Sequence, residues 1–306
     1  AASDVYKRQA AEYAFFGRSV WQQTLNLTDE EKTELIRLLQ ENYRPENRVY
    51  RYNFFYDNCA TRPRDKIEES IAGKVIYPAE PQDGSLTFRD IVHQYCKGHP
   101  WARFGIDLCI GSEADQPITQ RQMMFAPFYL MDAFDGAQIK GDSIQRPLIT
   151  ANELIVDATP EPDESDWMPT PLQCSLLLFI LTAAATIYGI RRRTGLWGID
   201  LFLFGIAGIV GCVLAFLALF SQHPAVSSNF LLLVFHPGQL LFLPYIIYCV
   251  RKGKKCWYLT LNLAVLTLFI VLFPVIPQRF DFAVVPLALV LLIRSASNLI
   301  VTSKKK

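Results

Sequence analysis

The chain has 306 residues and a net charge of +1, and with no basic patch interleaved with aromatics it argues against a nucleic-acid partner. The balance averages two unlike halves: nearly all acidic residues precede Trp167, and beyond it long runs of Leu, Ile, Val, Phe and Ala alternate with small basic clusters. Seven cysteines, at 59, 96, 109, 174, 212, 249 and 256, make no CxxC pair and no Cys/His ligand spacing, so neither a metal, another cofactor nor a disulfide framework is expected.

Residues 1–9 (AASDVYKRQ) match no targeting pattern and resemble translated sequencing adapter. They are expected to be non-native, with the native chain continuing upstream into a signal peptide and the rest of a soluble domain. Residues 10–158 then read as an α+β domain, truncated at its N-terminus. Within it Thr28 and Glu31 form a capping box that opens a helix to about Glu41, with Leu35, Ile36, Leu38 and Leu39 as its apolar face. Pro45, Glu46 and Asn47 make a turn, and residues 49–55 (VYRYNFF) alternate enough to be a strand. Residues 60–72 form a helical pattern closed by Gly73.

Cys59 therefore sits at a strand-to-helix turn, in the first turn of a helix. The thiolate is the reactive form of cysteine, and a helix N-terminus with Arg62 and Arg64 nearby stabilises it. The turn's N–H groups can also stabilise an oxyanion. The same residue is equally well read as a small side chain packed in a tight turn. A nucleophilic cysteine needs a base, and the histidines of this half, His93 and His99, carry no mark of one. The base is expected upstream of residue 11.

Residues 159–171 (TPEPDESDWMPTP) are acidic and proline-rich, an extended linker with Trp167 near a membrane interface. Five apolar stretches follow, at 172–190, 197–220, 230–250, 256–276 and 282–301, each near the roughly 20 residues that cross a bilayer. Arg191 to Arg193, Arg251 with Lys252, Lys254 and Lys255, and Lys304 to Lys306 follow the odd stretches. Basic loops stay in the cytoplasm, so the first half is expected outside and the C-terminus inside, in a five-helix bundle over 172–303. Arg294 lies within the fifth stretch, either as a functional charge or snorkelling to the inner face. His223 and His236, flanking Asn229 toward the outer side, either line a lipid headgroup site or serve loop and packing roles.

The string YRYNFFYDNCATRPRDKIEE at 50–69, with RSVWQQTLNLTDEEK at 18–32, PENR at 45–48 and WARFGIDLCIGSEAD at 101–115, resembles the Bacteroides-type lipoprotein N-acyltransferase family. The resemblance covers most of the soluble half, and the five-span tail fits it. It implies a periplasmic domain similar to permuted papain-like enzymes, whose FGHS-like histidine motif precedes the cysteine and is not found in this sequence. It also implies an inner-membrane location and Cys59 as nucleophile. Asp57, Asn58, Arg62, Arg64 and Asp65 belong to the same motif in orienting and electrostatic roles, against a simpler reading of Asn58 as a helix cap and of Arg64 and Asp65 as a surface ion-pair network. The implied partners are the membrane, a phospholipid or other acyl donor, and the N-terminus of a lipoprotein. A membrane-anchored cysteine hydrolase and a non-enzymatic envelope protein are the alternatives.

Overall fold

The computed structural model describes residues 2–78, 86–141, 145–158 and 168–303. In chain order its elements are α1 (Ala2–Phe15), β1 (Val20–Leu25), α2 (Asp29–Tyr43), α3 (Thr61–Ser70), β2 (Lys74–Ile76), α4 (Phe88–Tyr95), α5 (Pro100–Cys109), α6 (Gln120–Met123), α7 (Pro127–Asp135), β3 (Gln138–Lys140), β4 (Gln145–Pro147), β5 (Ile149–Val156), α8 (Pro171–Arg192), α9 (Trp197–Leu219), α10 (Pro237–Leu241), α11 (Leu243–Lys252), α12 (Trp257–Leu272) and α13 (Val284–Ser303). They divide into two compact units, one of Ala1–Ile91 with Pro117–Glu164 and one of Val92–Gln116 with Ser165–Lys306. The segment 92–116 thus groups with the apolar helices although it lies ahead of the linker. Most of that linker, 159–167 with Trp167, and Lys304 to Lys306 lie outside the described residues.

The first unit mixes helices with two small antiparallel sheets, β1 with β5 and β2-β3-β4. Ile71, Phe134, Ala137, Ile139, Leu148 and Ile149 close its core. The capping box forms as expected: Thr28 Oγ1 accepts from the Glu31 N–H at 3.3 Å, and the Glu31 carboxylate accepts from the Thr28 N–H at 2.8 Å. Glu31 is buried, and it also accepts from the Ala72 N–H and from Arg146, so one carboxylate ties α2 to the residues after α3 and to β4. The expected apolar face of α2 is narrower than the sequence suggests, because Leu38 is buried while Ile36 and Leu39 are exposed.

Residues 49–55 are not a strand. Asn53 and Asp57 exchange backbone hydrogen bonds at 2.9 Å across a tight turn, and Asn53 Oδ1 accepts from the N–H groups of Phe55 and Tyr56. An Asx side chain that bonds its own downstream backbone favours a turn over a ladder. The aromatics of this stretch form a cluster instead: Phe55 stacks on Phe88 at 4.1 Å and meets Phe125 edge-on at 5.4 Å. The following helix, α3, is shorter than expected, and Gly73 beyond it has φ 138°, a conformation that favours glycine.

In the second unit α8, α9 and α13 are each long and apolar enough to cross a membrane. The third apolar stretch is not one continuous helix. A 3-10 turn at Phe230–Leu233 gives way to α10 and α11, each with a proline at its start (Pro237, Pro244) that lacks the N–H to continue the preceding turn. α12 has 16 residues and meets α11 at 112°. Arg294 does not snorkel. Only 3% of it is exposed, its Nε and Nη2 donate to the two oxygens of Asp200 at 2.7 and 3.0 Å, and Nη1 donates to Thr186 Oγ1 at 3.0 Å. The pair joins α8, α9 and α13 in a setting where a lone charge is very costly.

Two expectations follow. Burial alone would push the Glu31 carboxyl up, but the Thr28 N–H, Arg146 and the Ala72 N–H outweigh it and hold it below the usual carboxylate range. A carboxyl depressed in the folded state stabilises it above the unfolded value, and that gain is lost as pH falls through the folded value. Glu31→Gln therefore lowers thermal stability at pH 7, and the gap to the wild type narrows when melts are run below about pH 4. In the second unit Arg294→Met destabilises by about 3–5 kcal/mol, and adding Asp200→Leu recovers most of the loss in a detergent unfolding cycle; equal losses in single and double variants would contradict the pairing.

Candidate functional site

Cys59 lies in a turn two residues before α3, not inside its first turn. Asn58 builds that turn. Its Oδ1 accepts from the N–H groups of Ala60 and Thr61 at 2.8 and 2.9 Å, and its Nδ2 donates to the carbonyls of Phe54 and Phe125 at 2.9 and 2.8 Å. The amide thus caps the helix and anchors the cysteine turn to the aromatic cluster. Because Asn58 takes up the N–H groups of Ala60 and Thr61, the Cys59 N–H is the donor of this turn with no hydrogen-bond partner among the described residues. An oxyanion there would be met by that N–H alone, because Ala60, Thr61 and Arg62 donate to Asn58 and Pro63 has no N–H.

The Cys59 side chain is exposed and opens on a cleft of about 500 Å³ lined by Trp21, Leu25, Ile67, Phe128, Met131 and Phe134 among others. Trp21 and Phe128 meet edge-on at 5.1 Å on its wall. Burial pushes the Tyr52 phenol up, and Cys59 and Tyr50 add to the shift.

The remaining motif residues brace the turn. Arg62 pairs with Asp57 through Nε–Oδ1 at 2.7 Å and Nη2–Oδ2 at 3.2 Å, and its guanidinium lies 3.3 Å from the centre of the Tyr50 ring. Arg64 is buried, donating to Asp65 at 2.8 Å and to the Arg121 carbonyl at 2.9 Å. Arg121 in turn bridges Asp65 and Glu68 at 2.7 and 2.9 Å. Both arginines are committed to carboxylates, so their charge near Cys59 is largely balanced.

In the second unit Asn229, His223 and His236 have different surroundings. Asn229 is buried, donating to the Leu108 carbonyl at 2.7 Å and accepting from the Leu231 N–H and Gln278 Nε2. Gln278 also donates to the Ile110 carbonyl at 3.1 Å, so the two amides fasten the end of α5 to the apolar helices. His223 starts a one-turn 3-10 helix, and His236 contacts Asn262 at 3.2 Å inside the unit. His93, by contrast, is held by the buried carboxylate of Asp107 at 2.8 and 3.0 Å, a partner 14 residues away. No group of three or more potential metal ligands occurs among the described residues.

Known family models match the chain twice. One, described as the Lnb N-terminal periplasmic domain, covers residues 3–93, and another, the Lnb transmembrane domain, covers residues 163–306. The chain belongs to the two-domain Lnb family. Lnb membership makes it a membrane protein with a periplasmic N-terminal domain, and Cys59 and its turn fall within the first Lnb match. Neither curated proteins nor solved structures gave a match.

Cys59 is expected to react first with a water-soluble maleimide in detergent, ahead of Cys249 and Cys256, which are buried. Asn58→Ala unpins the turn, costs about 1–3 kcal/mol and makes the chain between Phe54 and Thr61 a new site of protease cleavage. An unchanged cleavage pattern would show that the amide is dispensable.

Proposed function

We propose that the protein is an inner-membrane lipoprotein N-acyltransferase in which Cys59 is the nucleophile. The observation that carries this reading is an exposed thiol, ahead of a helix N-terminus, lining a largely apolar cleft of about 500 Å³. The Cys59 thiolate attacks the ester carbonyl of a phospholipid or other lipid donor. The Cys59 N–H stabilises the oxyanion, the donor's alkoxide leaves with a proton, and a thioester remains. The free α-amine of a diacylglyceryl-cysteine then attacks the thioester, loses a proton and leaves with the acyl chain, regenerating the thiol. Asn58, Arg62 and Arg64 hold the turn.

The finer organisation belongs to the same proposal: a permuted papain-like periplasmic domain over 10–158, a linker at 159–171, and five crossings within 172–303 that leave the C-terminus in the cytoplasm. The basic last turns of α8 and α11 support that orientation. A general base is required. Exposure of Cys59 favours one second reading, hydrolysis of the thioester by water, because excluding water is what separates transfer from hydrolysis.

The test is complementation of an N-acyltransferase-deficient host with the full open reading frame, read by mass spectrometry of lipoprotein N-termini. Restored N-acylation that Cys59→Ala lowers by about a thousandfold or more is the expected result. Free fatty acid release without N-acylation would replace the transferase by a hydrolase, and full activity of Cys59→Ala would remove the cysteine from the mechanism.

A further inference from the structure

The break in the third apolar stretch carries a polar cluster inside the membrane unit. Gln239 is fully buried, and its Nε2 donates to the Val234 carbonyl at 2.8 Å, which fixes the amide orientation and turns Oε1 away from that bond. Asn262 and Tyr258 share a face of α12 one turn apart. Asn262 contacts His236 Nε2 at 3.2 Å and donates to Ser295 Oγ at 3.0 Å, and Ser295 donates to the Leu291 carbonyl. A Cβ on Gly238 would lie 2.9 Å from His236 Nδ1 and 3.2 Å from Tyr258 Oη, so imidazole and phenol approach the same side of the glycine.

Within this cluster two buried atoms, Gln239 Oε1 and Tyr258 Oη, have no hydrogen-bond partner among the described residues. Tyr258 is 3% exposed. A polar atom left unpaired in a hydrocarbon-bounded interior costs several kcal/mol, and broken helix at that depth persists only where protein or a polar cavity satisfies it. The geometry points to a ligand site at the α10 break that takes a hydroxyl group. An amide oxygen only accepts, so a group that meets Gln239 Oε1 must donate; a phenol donates as readily as it accepts, so a hydroxyl satisfies Tyr258 Oη in either direction. Phosphodiester and carboxylate anions lack the donor, and any phosphate or ammonium would bring an unpaired charge into the bundle. A hydroxyl at this depth comes from a water molecule or from a hydroxylated apolar molecule such as a quinol or hydroxyacyl chain.

Tyr258→Phe in the full-length protein, reconstituted in phosphatidylethanolamine nanodiscs, decides the matter. The phenol oxygen has no protein partner, so the sign of the change is diagnostic. With a hydroxyl bound, Tm falls by about 3 °C or more. With nothing bound, removing the oxygen leaves Tm unchanged or raises it, and the site is overturned. Where the variant does not fold, the wild-type protein is read instead: the carbon-13 resonance of the Tyr258 ring carbon that bears oxygen reports a hydrogen-bonded phenol if the site is filled and a free one if it is not. Native mass spectrometry separates the sources: an adduct on the wild type that Tyr258→Phe loses is a hydroxylated lipid, and a fall in Tm with no adduct on either is water.

Discussion

A chain that passes from water into hydrocarbon must satisfy every polar group it takes along, and this requirement orders much of the second unit. Arg294 is tolerable because Asp200 and Thr186 meet three of its nitrogens. The irregular backbone around residues 223–236 is tolerable because Asn229 and Gln278 bond to it and to the carbonyls that end α5. Those amides, spent on backbone, act as structural clamps. Three long apolar helices joined by an ion pair, and a broken segment joined by amides, are two answers to the same demand.

The first unit solves a different problem, that of holding a reactive side chain still at a surface. A cysteine on an unsupported loop would sample many positions, and each ordered residue costs roughly 1–2 kcal/mol of conformational entropy. Asn58 restrains it with four hydrogen bonds to backbone on both sides. The stacked Phe55 and Phe88 give those bonds a rigid base. The arginines serve this support more than they tune the sulfur, because each guanidinium faces a carboxylate first.

How much of this was legible depends on how far each signal reaches along the chain. The capping box of Thr28 and Glu31 and the glycine after α3 are local, so the residue types alone gave them. The stretch at 49–55 misled because aromatic content imitates a strand, whereas one Asn side chain bonding its own backbone made a turn. Arg294 was visible as an anomaly, but its partner lies 94 residues away and no spacing rule links them. The prolines of the third apolar stretch were in plain sight, yet hydropathy averages over them. His93 looked unmarked because Asp107 reaches it only through folding.

Gly208 and Gly211 on α9 show what the broken segment demands of its neighbour. A Cβ on Gly208 would come within 2.4 Å of the Leu240 backbone nitrogen, and one on Gly211 within 2.5 Å of the His236 backbone. The two chains touch main chain to main chain, with nothing between them that could yield by changing rotamer. A methyl group on this face must displace the break itself, and with it His236 and the residues that gather around it. Variation at two glycines with no polar atom to offer would thus be felt as a change in the polarity of the bundle interior several residues away on other helices.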